Sequence, residues 1–114
     1  MSDVQKTAEQ NSARLGKTIK DFELPTSATV VEKTLFSMCV PEVLQHLGAL
    51  KTKTVVIFGI ETHICVLQTT LDLIERGYAV YIAADGCSSR FPNDRHVAFT
   101  VTLRTMRCEK KKKN

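Results

Sequence analysis

Four cysteines, at positions 39, 65, 87 and 108, and three histidines, at 46, 63 and 96, carry most of the chemistry this chain can offer. The cysteines lie 26, 22 and 21 residues apart and form no CxxC pair. A zinc ribbon and a dithiol redox motif are therefore excluded. Cys65 has the most suggestive setting. It falls in the first turn of a helical pattern that follows a strongly β-forming run, Thr54-Val55-Val56-Ile57-Phe58. Unpaired amides and the positive end of the helix dipole at such a turn stabilise an anion, so a thiolate is favoured there. A thiolate at a sharp strand-to-helix turn, beside backbone amides able to bind an oxyanion, is poised for attack on a carbonyl. The same spacing also suits a small hydrophobic residue on the inner face of the helix, and it does not separate the two. Cys39, Cys87 and Cys108 have weaker placements and read as structural. His63, two residues before Cys65, reads as pocket rim, because no second ligand has the spacing for a metal.

The elements that would position these residues follow from periodicity. Residues 1–25 show neither sustained apolar periodicity nor a strand-length apolar run, which predicts loop with at most a short helix. Thr29-Val30-Val31-Glu32-Lys33 is a short β-branched strand. A helix is expected from Pro41, a first-turn proline, to Leu50, with Val43, Leu44, Leu47 and Leu50 on one face. Thr54–Phe58 suits a strand buried on both faces in a parallel sheet, and Gly59-Ile60-Glu61 turns the chain. A helix over Thr62–Arg76 carries Ile64, Leu67, Leu71 and Ile74 as its apolar stripe, with Gly77 as its C-terminal cap. Ala79–Ala84 is a second buried strand and Asp85–Arg90 a polar loop. Asn93 caps a weaker helix that runs to about Arg107 with Val97, Val101 and Met106. Alternating strands and helices imply a parallel sheet with right-handed crossovers, an α/β domain. Ligands of such sheets sit beyond the carboxyl ends of the strands, where Lys33, Glu61, Thr62, His63, Cys65 and Asp85 fall. By itself Lys33 reads as a solvated strand-end lysine, and Asp85 either lines the pocket or caps the next loop.

With 114 residues, the chain is one small domain with an ordinary share of hydrophobic and charged residues. Its apolar runs are far shorter than the roughly 20 residues of a membrane span, and Met1–Lys20 has no apolar core of a secretory signal. The net charge of +4 comes from the C-terminal stretch. Arg104, Arg107 and Lys110–Lys113 against Glu109 amount to +5 and leave the rest at −1. The lysine run reads as a solvated, disordered end rather than a nucleic-acid contact, since no aromatic residue is interleaved with it. Free thiols and a reducing, cytoplasmic setting are expected, with mitochondrion or peroxisome as the alternatives.

The segment Gly59-Ile60-Glu61-Thr62-His63-Ile64-Cys65-Val66, followed by Thr69, Leu71, Asp72 and Gly77, resembles the nucleophile segment of the isochorismatase-like cysteine hydrolases, a strand, then G-[IV]-x-T-x-x-C-V, then a helix. Lys33-Thr34-Leu35-Phe36-Ser37-Met38 is similar to that family's K-x-x-[FY]-S motif. Glu9-Gln10-Asn11 and Leu15-Gly16-Lys17-Thr18 resemble the E-Q-x…L-G-x-T segment of its animal members. The resemblance covers about residues 9–107. It implies a three-layer αβα Rossmann-like parallel sheet, no organic cofactor, and Cys-dependent hydrolysis of a small amide or related substrate by an Asp-Lys-Cys triad. Carried over, Cys65 is the nucleophile and Lys33 the triad lysine. A non-proline cis peptide between Ile60 and Glu61 is implied, aiming the amides of Glu61 and Cys65 at an oxyanion. Thr62 and His63 are the implied substrate contacts. The metal-binding Asp/His set of the nicotinamidase branch is absent.

The same resemblance implies an aspartate at the end of a first, central strand, within a D-x-Q motif. Asp3-Val4-Gln5 spells that motif with no apolar strand before it, and reads as a chance match or a remnant. The family's last strand has no counterpart either. The expectation is therefore a truncated domain: residues 1–8 disordered, 9–107 a partial isochorismatase-like domain, and 108–114 a basic disordered tail. Two functional expectations follow. One is a hydrolase site that is inactive or impaired for want of its aspartate. The other is a non-enzymatic fragment acting by association, as a homo-oligomer or with a full-length homologue, through an unpaired strand edge.

Overall fold

The computed structural model describes residues 6–10 and 28–113. The elements run β1 (Lys6–Gln10), β2 (Thr29–Lys33), α1 (Pro41–Ala49), β3 (Thr54–Ile60), α2 (Leu67–Glu75), β4 (Ala79–Ser88) and α3 (Pro92–Lys113), with a π-helical turn, Thr62–Val66, leading into α2. β1 pairs parallel with β2, Lys6 beside Thr29 and Gln10 beside Lys33; β3 pairs parallel with β4, Thr54 beside Ala79. The pairs are two separate sheets. Among the described residues, then, β3 is hydrogen-bonded along one edge only. This is the parallel α/β architecture that strand–helix alternation predicts. No helix among the described residues is long and apolar enough to cross a membrane.

Both ends depart from expectation. Loop is expected through residue 25, yet Lys6–Gln10 is a strand, so residues 6–8 are not part of a disordered N-terminus. The segment Lys-Thr-Ala-Glu-Gln has no apolar alternation. Its extended form comes from the ladder it makes with β2, which periodicity does not register. Residues 108–113, expected to be a disordered tail, continue α3 to Lys113. Lysine, arginine and glutamate are good helix formers, and cations near a helix C-terminus complement its dipole. Asp3-Val4-Gln5 and Leu15-Gly16-Lys17-Thr18 lie outside the described residues.

The core lies on one face of the β3–β4 sheet, where Ile57, Val66, Leu73 and Cys87 form the buried cluster. Leu47 from α1 and Phe99 from α3 pack against it, as do Val55, Val80 and Ile82 from the strands. The described helices thus supply one layer. On the opposite face Val56, Phe58 and Ile60 are 64%, 50% and 73% exposed, and Tyr81, beside Val56 in the ladder, is exposed as well.

The buried stripes of the helices are rotated from those read off the apolar residues. In the turn and α2 the buried positions are Thr62, Val66, Thr69, Thr70, Leu73 and Ile74, while Ile64, Leu67 and Leu71 are only half-buried. In α3 they are Ala98 and Thr102, and Val97 and Val101 face out. The threonines explain the difference. Thr69 donates its hydroxyl to the Cys65 carbonyl, Thr70 to that of Val66 and Thr102 to that of Ala98. With the hydroxyl satisfied locally, each presents a methyl group to the interior at little polar cost.

Gly77 caps α2 as expected. At φ +91° it donates its N–H to the Ile74 carbonyl while Tyr78 donates to Leu73, the Schellman pattern. α1 ends in the same pattern, with Lys51 donating to Gly48 and Thr52 to Leu47, but here a lysine occupies the left-handed position at φ +53°. Replacing the exposed Lys51 with glycine should therefore stabilise the fold by about 1 kcal/mol. A thermal melt would read this as a rise of about 4–8 °C, and an unchanged or lowered midpoint would refute it.

Candidate functional site

Lys33 ends β2 on the same side as buried Val31, because strand side chains alternate between faces. That alternation carries its ammonium inward, and the residue is 5% exposed. Its Nζ donates to the Leu35 carbonyl at 2.8 Å, to the Phe36 carbonyl at 2.9 Å and to Cys65 Sγ at 3.7 Å. A buried ammonium needs partners of this kind to offset its desolvation. Lys33 is thus the end of a strand folded into the site and not a solvated lysine.

Cys65 reaches that lysine from the far side. β3 leads through Gly59, at φ +134°, to Ile60, and the Ile60–Glu61 peptide is cis. Glu61 remains extended, and its carbonyl accepts the N–H groups of Ile64 and Val66 as the π-helical turn begins. Cys65 is half-buried in this turn. Among the described residues, the side chain in contact with its sulfur is that of Lys33, and no carboxylate hydrogen-bonds it. Asp3, of the D-x-Q match, lies outside the described residues. Two of the other thiols are less available as nucleophiles. Burial pushes the Cys39 thiol up, partly offset by a hydrogen bond with Ser37, and burial likewise pushes up Cys87. Cys108 is exposed on α3.

The two remaining expected contacts differ in setting. Thr62 is 1% exposed, and its hydroxyl has no hydrogen-bond partner. His63 is half-buried at the rim. Its Nδ1 lies 3.0 Å from Ser89 Oγ and 3.6 Å from Glu61 Oε2, and its Nε2 lies 3.8 Å from Asp94 Oδ2. The histidine therefore sits where the C-terminal ends of β3 and β4 meet the first turn of α3. Asp85 is exposed where β4 bulges, in the register shift between Ile57 beside Ile82 and Gly59 beside Cys87. Arg95 brackets this bulge by donating to the carbonyls of Ala84 and Cys87. Among the described residues no group of three or more His, Cys, Asp or Glu side chains could hold a metal ion. A cavity of about 510 Å³, lined by residues such as Lys53, Arg76 and Tyr78, opens at the opposite end of β3 and β4 from Cys65.

Three participants are given no site role in the sequence reading: Ser89, Asp94 and Thr69, the last quoted there only as part of the nucleophile segment. The first two come from other elements and leave no local signal. Thr69 does leave one, as a polar residue four positions after Cys65 and so on the same helix face. It accepts the Met38 N–H at 2.8 Å and donates to the Cys65 carbonyl at 2.6 Å.

Comparison with known proteins relates most of the chain to one family. The model of the isochorismatase domain matches residues 3–109. Isochorismatase domain-containing protein 1 of Danio rerio is 43% identical over 99 residues, covering 86% of this chain and 35% of the relative. Isochorismatase family protein 1A of Dictyostelium discoideum is 46% identical over 96 residues, covering 79% of this chain and 47% of the relative. The solved structure of MAR1 ribonuclease from Caenorhabditis elegans superimposes with a TM-score of 0.82 at 40% identity, over 88% of this chain and 52% of that one. The chain thus spans about half the length, or less, of the relatives it matches.

Proposed function

The chain belongs to the isochorismatase domain family, and on that premise we propose that it carries the Cys65–Lys33 part of a small-amide hydrolase site, impaired in turnover. The observation that supports this reading is Lys33 Nζ at 3.7 Å from Cys65 Sγ. In it, the Cys65 sulfur attacks the substrate carbonyl carbon, and the amides of Glu61 and Cys65 receive the oxyanion. Lys33 balances the charge on sulfur, while Thr62 and His63 border the substrate. Neither a metal nor an organic cofactor enters the scheme. The impairment follows from proton transfer. In this reading no carboxylate among the described residues takes the thiol proton or returns it to the leaving amine, a contribution worth about 10²–10⁴-fold. Glu61 and Asp94 flank His63 with carboxylates, which favours a small uncharged or cationic substrate over a polyanion such as RNA. Free thiols at Cys39, Cys65, Cys87 and Cys108 fit a reducing compartment, the cytoplasm, with mitochondrion or peroxisome as alternatives.

The test is hydrolysis of small amides by the purified chain beside a Cys65→Ala control. The expected result is no rate above the control, and sustained Cys65-dependent turnover overturns the impairment.

The exposed side of β3 supports a second reading, in which the fragment acts by association with another copy or a full-length homologue. A strand edge unpaired among the described residues, beside exposed Val56, Phe58 and Ile60, is a template for pairing. Light scattering on eluted fractions should then give a mass above that of the monomer, falling toward it in a Val56→Lys/Phe58→Lys chain. A compact monomer that unfolds cooperatively would rule association out.

A further inference from the structure

Threonines that donate to the carbonyl four residues back recur in this chain, at Thr70, Thr100, Thr102 and Thr105. Thr69 differs from them. Among the described residues it is the member of this group whose oxygen also accepts a backbone N–H from a distant segment, that of Met38, 31 positions away. The residue is 4% exposed, so both bonds are shielded from water.

The two partners of Thr69 belong to the two halves of the site. Cys65, whose carbonyl takes the hydroxyl hydrogen, carries the sulfur. Met38 closes the turn that follows Lys33, and the carbonyls of that turn, Leu35 and Phe36, are the ones that hold the ammonium. The turn belongs to neither a strand nor a helix. Its position relative to the sulfur must therefore be set by contacts with its neighbours. One chain of hydrogen bonds joins Met38 to Thr69 and Thr69 to Cys65; a second joins the turn to Lys33 and Lys33 to the sulfur. The result is a closed ring that crosses from β2 to the nucleophile turn twice.

We propose that Thr69 is a positioning residue, which holds the Lys33 turn at the distance where the ammonium meets the Cys65 sulfur. The inference rests on Cys65 as the nucleophile and deepens that reading. Without the hydroxyl, the N–H of half-buried Met38 loses its acceptor and the turn shifts until water or another group satisfies it. The lysine moves with its turn, and the sulfur loses its cation.

The experiment measures how fast iodoacetamide alkylates Cys65 at neutral pH, by mass spectrometry, relative to exposed Cys108 in the same molecule. Thr69→Val should lower that ratio by about tenfold, while Thr69→Ser, which keeps the hydroxyl, should stay within about twofold of the parent. Lys33→Met should lower it as well. Because Thr69 acts through the lysine, the Lys33→Met/Thr69→Val chain should be no slower than Lys33→Met alone. An unchanged ratio in folded Thr69→Val, or losses that multiply in the double variant, would overturn the assignment. Should Thr69→Val fail to fold by circular dichroism, amide exchange in the parent chain decides. The Met38 N–H should exchange more slowly than those of Leu35 and Phe36, and equal exchange overturns the proposal. A chain that shows this alkylation pattern yet never acylates refutes the hydrolytic reading and leaves the positioning role standing.

Discussion

A Cys65→Ala chain should release no burst of p-nitrophenolate from p-nitrophenyl acetate, whereas the parent releases about one equivalent and then slows. The contrast follows from which steps need a proton carrier. The Cys65 sulfur lies 3.7 Å from a buried ammonium, in the first turn of a helical segment. Both features set positive charge beside the attacking atom. Its attack forms a carbon–sulfur bond and expels p-nitrophenolate, which departs without being protonated. Acylation of this ester therefore needs no carboxylate beside the sulfur. Deacylation is different, since water must lose a proton as it attacks, and the acyl-enzyme should accumulate. The remaining cysteines supply the control. Cys39 and Cys87 are held protonated by burial, so a background reaction would come from exposed Cys108, and a Cys108→Ala chain should keep the burst. A burst of equal size in Cys65→Ala would remove Cys65 from the role of nucleophile.

Leu73→Ala should cost most of the fold. Leu73 is 2% exposed and packs in the cluster that joins Ile57 of β3 to Val66 of the nucleophile turn. Truncating such a leucine costs about 2–5 kcal/mol, the lost burial together with the cavity left behind. A domain of this size has about 5–15 kcal/mol in total, with small chains toward the lower end. The melting midpoint should fall by more than about 10 °C, or the cooperative transition should disappear altogether. Leu103→Ala, on an exposed face of α3, should change the stability by less than about 0.5 kcal/mol. If Leu73→Ala melts within two or three degrees of the parent, the core is not the one described. Because Val66 belongs to the same cluster and the same turn as Cys65, loss of this packing should also release the sulfur from Lys33.

The site was legible to the extent that its chemistry is local in sequence. Cys65 and the strand–turn–helix around it lie within a dozen residues, and Gly77 sits at the glycine position of the Schellman cap that the periodicity requires. Lys33 was not legible in this way. From the sequence alone a lysine at a strand end faces water, and only its motif relates it to a sulfur 32 residues away. Strand alternation beside Val31, together with the Leu35 and Phe36 carbonyls, turns it inward.

What the sequence determined by itself is what short-range physics decides: apolar, β-branched runs for β2, β3 and the Ala79–Ala84 part of β4, a helix α2 with its terminating glycine, and a cysteine at the mouth of a helical segment. The tertiary structure decided the remainder. β1 exists because β2 offers it a ladder, and a backbone ladder has no signature in side-chain polarity. The buried stripes of α2 and α3 run through Thr69, Thr70, Ala98 and Thr102, because a threonine that has satisfied its hydroxyl on its own helix behaves as a small apolar residue, which a polarity count takes for an exposed one. The Lys33–Cys65 contact and the Thr69 link depend on where two distant segments come to rest, and that is fixed by packing between elements, not by the pattern within any one of them.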